Sequence, residues 1–431
     1  MTRTEKLLAE LIALPSVNPA FAPQSGAAAR QARHYGEKNV ADFLASVAAR
    51  AGLEVEFQKV LPADFKRWGE PPGEPVLAGS HPGSRGRSPH QTKETDLARY
   101  NVIARLRSPG KIRQTILLAP HLDTVGADDS QFVPHRKNGR LYGRGACDTK
   151  GSVAAMLIAL CELVSTKWRP GETEIVFAGL VDEENAQAGS RALVGQASSL
   201  SPFFQKARDR QDACPTLAIV GEPTRLQVVT AHKGSLWLQF ETRGRAAHGA
   251  TPQLGQNAVH EMARIVDMLE TDYAARLCRR RHPLLGTATV NVGTIHGGTQ
   301  PNIVPDHCVI TIDRRTLPGE TEAGVRREIA ALLRAKNLPA KISSTKLAPC
   351  LPLETNPKLP LVRHFLRSVG QARPVGVDFF CDAAVLAAGG IPSVVFGPGD
   401  IAQAHTADEW ISLASLERGK NLLLNFLKSL P

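Results

Sequence analysis

The apolar run QTILLAP ends at Pro120, and His121 and Asp123 follow at once. Side chains two apart on an extended chain share a face, so this pair faces one site. Further along, Asp148 stands in GRGACDTKG, Glu184 in VDEEN, Glu222 in IVGEPT and His405 in AQAHTADEW. Imidazole nitrogen and carboxylate oxygen are ligands for divalent ions. Two histidines and three carboxylates suit a pair of such ions, with one carboxylate bridging and two ligands left for each. A two-metal site of this kind, about 3.5 to 4 Å across, lowers the pKa of a water between the ions from about 15.7 toward about 7. Glu183 stands beside Glu184, so one carboxylate can bind metal while the other points at the water; Glu183 is then the general base and later the acid. Asp123 can accept the second imidazole N–H of His121 and set its tautomer. Singly, each residue has an ordinary reading: HLD as a turn, DEEN as a solvated loop or cap, AHTADE as a capping box. The ordered set, spread over one framework, carries the argument.

Such ligands need elements that bring them together. YGEKNVADFLASVAARAGL reads as a helix ending at Gly52, EVEFQKV and YNVIARL as strands, and KGSVAAMLIALCELVSTKW as a helix. ETEIVFAGLV and TLAIVGEP read as further strands. This alternation predicts an α/β catalytic domain with a mostly parallel sheet, and ligands bind beyond the carboxyl ends of such strands. Gly73 to Leu97, rich in Gly, Ser, Pro and charge, reads as a surface loop. From about Val229 the texture changes to a β-α-β-β-α order with helices NAVHEMARIVDMLETDYAARL and EAGVRREIAALLRAKNL, which fits an inserted α+β, ferredoxin-like unit. The expected domains are 1–228 and 347–431 for the catalytic part and 229–346 for the insertion.

With 431 residues, 42% hydrophobic and 22% charged, the chain has globular composition and is too long for one ordinary core. The formal charge of +11 permits polyanion binding, but the basic residues are scattered apart from RLCRRRH at 276–282, which argues against nucleic acid and for steering of small anions. Seven cysteines without a CxxC pair read as reduced thiols. The start, MTRTEKLLAELIALPSVNP, reads as an amphipathic helix rather than a signal-peptide core, and no run of about eighteen apolar residues occurs. A cytoplasmic protein with no membrane partner is expected.

The pieces HLDTV, GRGACDTKG, VDEEN, GEPT, AHKG, GRAAHGATP and GPGDIAQAHTADEW come in the order found in the dizinc aminoacylase and carboxypeptidase family. GEPTRLQVVTAHKG and GDIAQAHTADEW resemble its acetylornithine deacetylase and succinyl-diaminopimelate desuccinylase branch. The resemblance implies one metal held by His121 and Glu222, the other by Glu184 and His405, with Asp148 bridging, Glu183 catalytic and Asp123 supporting. It implies a cis peptide from Asp148 to Thr149, and an inserted domain that acts as a lid and pairs two subunits into a homodimer. His248 in GRAAHGATP matches a lid histidine that stabilises the oxyanion, often in the partner's site. Asn302 in GGTQPNIVP and Arg315 in DRRTLPG match positions that hold the substrate's oxygens and carboxylate; Arg315 rather than Arg314 fits the aspartate, one residue, arginine pattern that starts at Asp313. Gly126 departs from the proline of many relatives, and VDFFCDAAVL matches loosely, so Cys381 and Asp382 stand only as guesses at pocket lining. Cys147 and Cys381 read as small buried residues.

The expected activity is a metal-dependent amidohydrolase that cleaves an N-acyl amino acid with a free carboxylate, with zinc as the metal and cobalt or manganese as alternatives. A carboxypeptidase or dipeptidase acting on a short peptide is the alternative within the family. A catalytically silent binding protein on the same fold is the second.

Overall fold

The computed structural model describes residues 1–22, 34–61, 99–198, 216–346 and 348–431; the Gly73–Leu97 stretch lies outside them. The strands, in chain order, are β1 (Glu54–Val60), β2 (Arg99–Leu106), β3 (Gln114–Pro120), β4 (His135–Lys137), β5 (Arg140–Tyr142), β6 (Thr173–Gly179), β7 (Leu217–Gly221), β8 (Val229–His232) and β9 (Gly234–Arg243). They continue as β10 (Arg281–His282), β11 (Gly286–Thr287), β12 (Thr289–Gly297), β13 (His307–Thr316), β14 (Lys341–Ser344), β15 (Leu353–Glu354), β16 (Val375–Val377), β17 (Ser393–Val395) and β18 (Trp410–Ser412).

Nine strands form one sheet in the order β1-β2-β6-β3-β7-β17-β8-β15, with β16 beside β8. Its centre, β6-β3-β7-β17, is parallel, while β1, β2 and β15 pair antiparallel at the flanks. The central strands are buried on both faces, as parallel strands covered by helices must be. Along β3, Ile116 and Leu118 enter one core and Leu117 and Ala119 the other. The first core lies under the helices Arg3–Ile12, Lys150–Ser165 and Leu413–Lys428; the second lies under Ala383–Ala388. Helix Lys150–Ser165 is apolar nearly all round, which suits a helix sandwiched between the sheet and two others. The Lys38–Arg50 helix ends as expected, with Gly52 at φ +87° taking the left-handed turn.

β12-β13-β9-β14 form a separate antiparallel sheet. The fourth strand, β14, extends the anticipated order to β-α-β-β-α-β. The first helix of this unit is not uniform: Ala258–Met268 passes through a π-helical turn at Leu269–Tyr273 before Ala274–Leu277. Val229–His232, which the change in texture assigned to the insertion, pairs in the large sheet; the smaller sheet begins at Gly234. Among the described residues, no helix is long and apolar enough to cross a membrane, and the described cysteines are free thiols.

Candidate metal centre and active site

All the strand-borne site residues leave from one edge. His121 follows β3, Asp182 to Glu184 lie beyond β6, Glu222 follows β7, and the loop after β17 carries His405. These strands run parallel, so their carboxyl ends share one side of the sheet, where α/β folds place ligands. Asp182 and His405 take left-handed φ values of 70° and 62°, turns that redirect the chain where it meets the cluster. Gly397 lets the last loop approach: a Cβ there would lie 2.6 Å from the Glu222 carbonyl oxygen and 2.4 Å from Ser152 Oγ.

Two trios result, His121 with Asp148 and Glu222, and Asp148 with Glu184 and His405; within each, one ligand atom per residue lies within 4.8 Å of the others. Asp148 belongs to both. Its Oδ1 is 3.1 Å from His121 Nε2 and its Oδ2 is 3.5 Å from His405 Nε2. His405 Nε2 is also 3.1 Å from Glu184 Oε2, and His121 Nε2 is 3.9 Å from Glu222 Oε1. Glu183 is buried beside these groups. The peptide joining Asp148 to Thr149 is cis.

The electrostatics of the cluster call for cations. Burial, reinforced by neighbouring carboxylates, pushes the carboxyls of Glu183 and Glu222 well above the usual range, and burial likewise raises Glu184. Burial disfavours charge on His121, yet the fields of Glu222, Asp123 and Asp148 outweigh it and raise the imidazole well above its ordinary value. Glu222 Oε1 is buried without a hydrogen-bond partner. Buried carboxylates of this number are costly unless paired or bound to metal, so the donor set fits divalent ions.

Asp123 acts differently from expectation. His121 Nδ1 lies 3.0 Å from the backbone carbonyl of Asp123 and 3.6 Å from its carboxylate. A carbonyl only accepts, so Nδ1 carries a proton, and Nε2, whose own proton a bound cation would displace, faces the cluster. The Asp123 carboxylate instead accepts the backbone N–H groups of Glu183 and Glu184 at 3.0 and 3.1 Å, fixing the loop that carries both.

Three supports escaped the sequence reading. Asn18 Nδ2 donates to Asp123 at 2.7 Å and to Asp182 at 2.9 Å, and Arg99 joins Asp182 to buried Glu37. Glu409, read as part of a capping box, accepts Arg144 Nη1 at 2.8 Å and the backbone N–H groups of Gly145, Cys147 and Asp148 at 2.9, 2.8 and 3.0 Å. It shapes the loop that presents Asp148. The sequence marks them only as polar residues without a motif of their own, such as Asn18 in PSVNP.

Cys381 and Asp382, guessed to line the pocket, are both buried, and the Cys381 thiol lies in the fields of Glu222 and Glu183. Asp382 accepts the Ser190 hydroxyl at 2.6 Å, and burial pushes its carboxyl up to about 7. Burial also holds the Cys147 and Cys381 thiols above the ordinary range, so both stay neutral.

His248 and Asn302 stand together on the inserted unit. His248 bridges to Ile303, and Gly249 donates its N–H to the Asn302 carbonyl at 2.7 Å. Both are exposed, and among the described residues neither side chain is hydrogen-bonded to the metal trios. His248 Nδ1 accepts the Ala250 N–H at 3.0 Å, which leaves Nε2 to carry the proton of the neutral ring. Arg314 is buried in the core of the inserted unit against Tyr273 and Glu320. Arg315 pairs with Asp313 at 2.9 Å and lies 5.8 Å from the Phe380 ring of the large domain.

Comparison with known proteins agrees with this arrangement. Residues 117–429 match the description Peptidase family M20/M25/M40. The chain is 30% identical over 340 residues to an acetylornithine deacetylase of Myxococcus xanthus, covering 77% of this chain and 84% of that one. Its fold is similar to an M20 family metallo-carboxypeptidase from Sulfolobus solfataricus, with a TM-score of 0.69 at 16% identity over 99% of each chain. It is also similar to aminopeptidase PepT from Bacillus cereus, with a TM-score of 0.68 at 20% identity over 99% of this chain and 97% of that one. The chain therefore belongs to peptidase family M20/M25/M40 and is a metal-dependent hydrolase of amide bonds.

Proposed function

We propose that the chain is an acetylornithine deacetylase-like amidohydrolase, which removes the acyl group from an N-acyl amino acid with a free α-carboxylate. The observation that carries this reading is Asp148 offering one oxygen to each of two ligand trios, beside a buried glutamate that neither trio uses. In this reading His121 and Glu222 hold one ion, Glu184 and His405 the other, and Asp148 both; zinc is the native metal. Two bound ions would supply Lewis-acid polarisation of the amide carbonyl and a water acidified toward a pKa of about 7.

The chain's own groups do the rest. Glu183 takes the proton of the attacking water and returns it to the leaving amine, work suited to a carboxyl whose pKa burial has raised. His248, with its proton on Nε2, donates to the carbonyl oxygen as negative charge develops there, assisted by Asn302. Arg315 presents a planar fork to the α-carboxylate. The inserted unit, which carries His248, Asn302 and Arg315, closes over the substrate and pairs two copies into a homodimer. The protein is cytoplasmic in this reading, and nucleic acid is no partner.

The curated relative favours deacylation and the solved structures favour peptide cleavage, and the same metals and carboxylate clamp serve both bonds. The test is release of free amine from N-acetylornithine, other N-acyl amino acids and a set of dipeptides, using protein stripped with chelator and reloaded with zinc, cobalt or manganese. Turnover restored by metal and higher on the acylated substrates is expected. Faster turnover of dipeptides makes the chain a peptidase. Silence with every metal, despite two ions bound per chain, overturns the hydrolytic assignment in favour of a binding role.

A further inference from the structure

The smaller sheet has two faces. Alternation along β9 and β13 sends Leu236, Leu238, Ile310, Ile312 and Arg314 into the lid core. It turns Ser235, Trp237, Asp313 and Arg315 the other way, with Arg315 opposite Ser235 and Asp313 opposite Trp237. This second face meets the large domain at Phe380. Arg315 lies 5.8 Å from the Phe380 ring; Lys346, just after β14, places its Nζ 5.1 Å from the same ring and 4.3 Å from that of Trp237. The next residue after Phe380 is Cys381, whose buried thiol lies in the fields of Glu222 and Glu183. Two cations from the lid therefore converge on one ring, one residue from the wall of the catalytic cluster.

Their charges are unequally compensated. Arg315 has Asp313 at 2.9 Å. Lys346 has two ring faces and the Cys350 sulfur at 3.4 Å, and among the described residues it forms no ion pair with a carboxylate. Burial keeps the Cys350 thiol above the ordinary range despite nearby Lys346, Arg191 and Arg315, so the sulfur is neutral and cancels none of the positive charge. Two cations gathered against aromatic walls repel one another and are stabilised by an anion between them.

Building on the hydrolase reading above, we propose that Lys346 is a specificity-determining residue: beside Arg315, which holds the α-carboxylate, it takes a second carboxylate of the substrate. The arginine fork suits one carboxylate, and the compact ammonium of Lys346, with three donors, serves the other. A substrate group carrying positive charge is disfavoured at this position. The second carboxylate has two chemical sources, a dicarboxylic acyl group or an acidic amino-acid side chain.

The experiment compares matched pairs on metal-loaded full chain: N-succinyl against N-acetyl derivatives of one amino acid, and N-acetylglutamate against N-acetylglutamine. The readout is the ratio of kcat/KM within each pair for the wild type, Lys346→Met and Lys346→Arg. A preference for the dianionic member in one pair, reduced about tenfold or more by methionine and largely restored by arginine, is expected; the pair that responds names the source. An unchanged ratio in both pairs overturns the subsite, even where every absolute rate falls. Calorimetric titration of wild type and Lys346→Met with glutarate reads the subsite apart from turnover. Binding weakened about tenfold by methionine supports it even if no substrate is cleaved, and binding indifferent to the variant overturns it.

Discussion

Replacing Glu409 by glutamine keeps the size of the side chain and removes its charge, so it isolates what the carboxylate does. In the wild type its Oε2 accepts Arg144 Nη1 and the Gly145 N–H, and its Oε1 accepts the N–H groups of Cys147 and Asp148, at 2.8 to 3.0 Å. Both partners of the ion pair are buried, with Arg144 4% and Glu409 1% exposed. The glutamine amide turns its NH2 against two donors whichever way it lies. Breaking a buried ion pair from one side costs about 3 to 5 kcal/mol. Each buried N–H left without an acceptor adds roughly 1 to 3 kcal/mol. Even the low ends of these ranges come to about 4 kcal/mol or more. The loop so released carries Asp148, so both metal trios should loosen together. Urea denaturation of metal-free protein reads the stability, and competition with a chromogenic chelator reads the affinity for each ion. A stability loss below about 1 kcal/mol, or loss of affinity for one ion only, refutes the assignment of Glu409 as the clamp on that loop.

Glu183→Gln should bind two metals as the wild type does and lose at least about 10²- to 10⁴-fold in turnover; comparable activity in the variant removes Glu183 as the base. His248→Ala should lower kcat by about 10²- to 10³-fold, whereas a change confined to KM makes it a binding residue. His232 is buried, and burial lowers its pKa from 6.5 to about 4. The unfolded chain then takes up the proton first, so the contribution of His232 to stability is complete above pH 6.5 and is lost as pH falls from 6.5 toward 4. Between pH 7.5 and pH 5 the wild type should lose about 2 kcal/mol more than His232→Asn in urea denaturation, and parallel pH profiles refute this.

The alternation of strand and helix patterns was legible because it is local: a parallel strand buried on both faces reads as a continuous apolar run, as ILLAP in β3, IVFAG in β6 and LAIVG in β7 do. The ligand residues were legible for a related reason, since histidines and carboxylates stand out at the ends of such strands. Arg315 was separated from Arg314 only by the resemblance, through its aspartate, one residue, arginine pattern; the structure shows the alternation of the strand, which sends Arg314 into the core of the smaller unit. Less local features were harder to read. The π-helical turn at Leu269–Tyr273 has no counterpart in a helical repeat that runs unbroken through it. β8 looks like part of the insertion because it adjoins β9 in sequence, although its hydrogen bonds go to β15, β16 and β17.

Residue types and their order pointed by themselves to a two-metal site at the carboxyl ends of an α/β sheet, because divalent ions accept few side chains, and the family resemblance added the hydrolysis of amide bonds. Tertiary structure alone decided how the site is supported. Asn18 and Asp123 are 105 residues apart, and Arg144 and Glu409 are 265 apart. Their hydrogen bonds exist only because packing places distant segments in one water-poor interior, where an unpaired donor or charge is costly. The same packing gathers Arg315, Lys346 and Phe380 from three stretches of chain, and no local pattern in any of them announces the others.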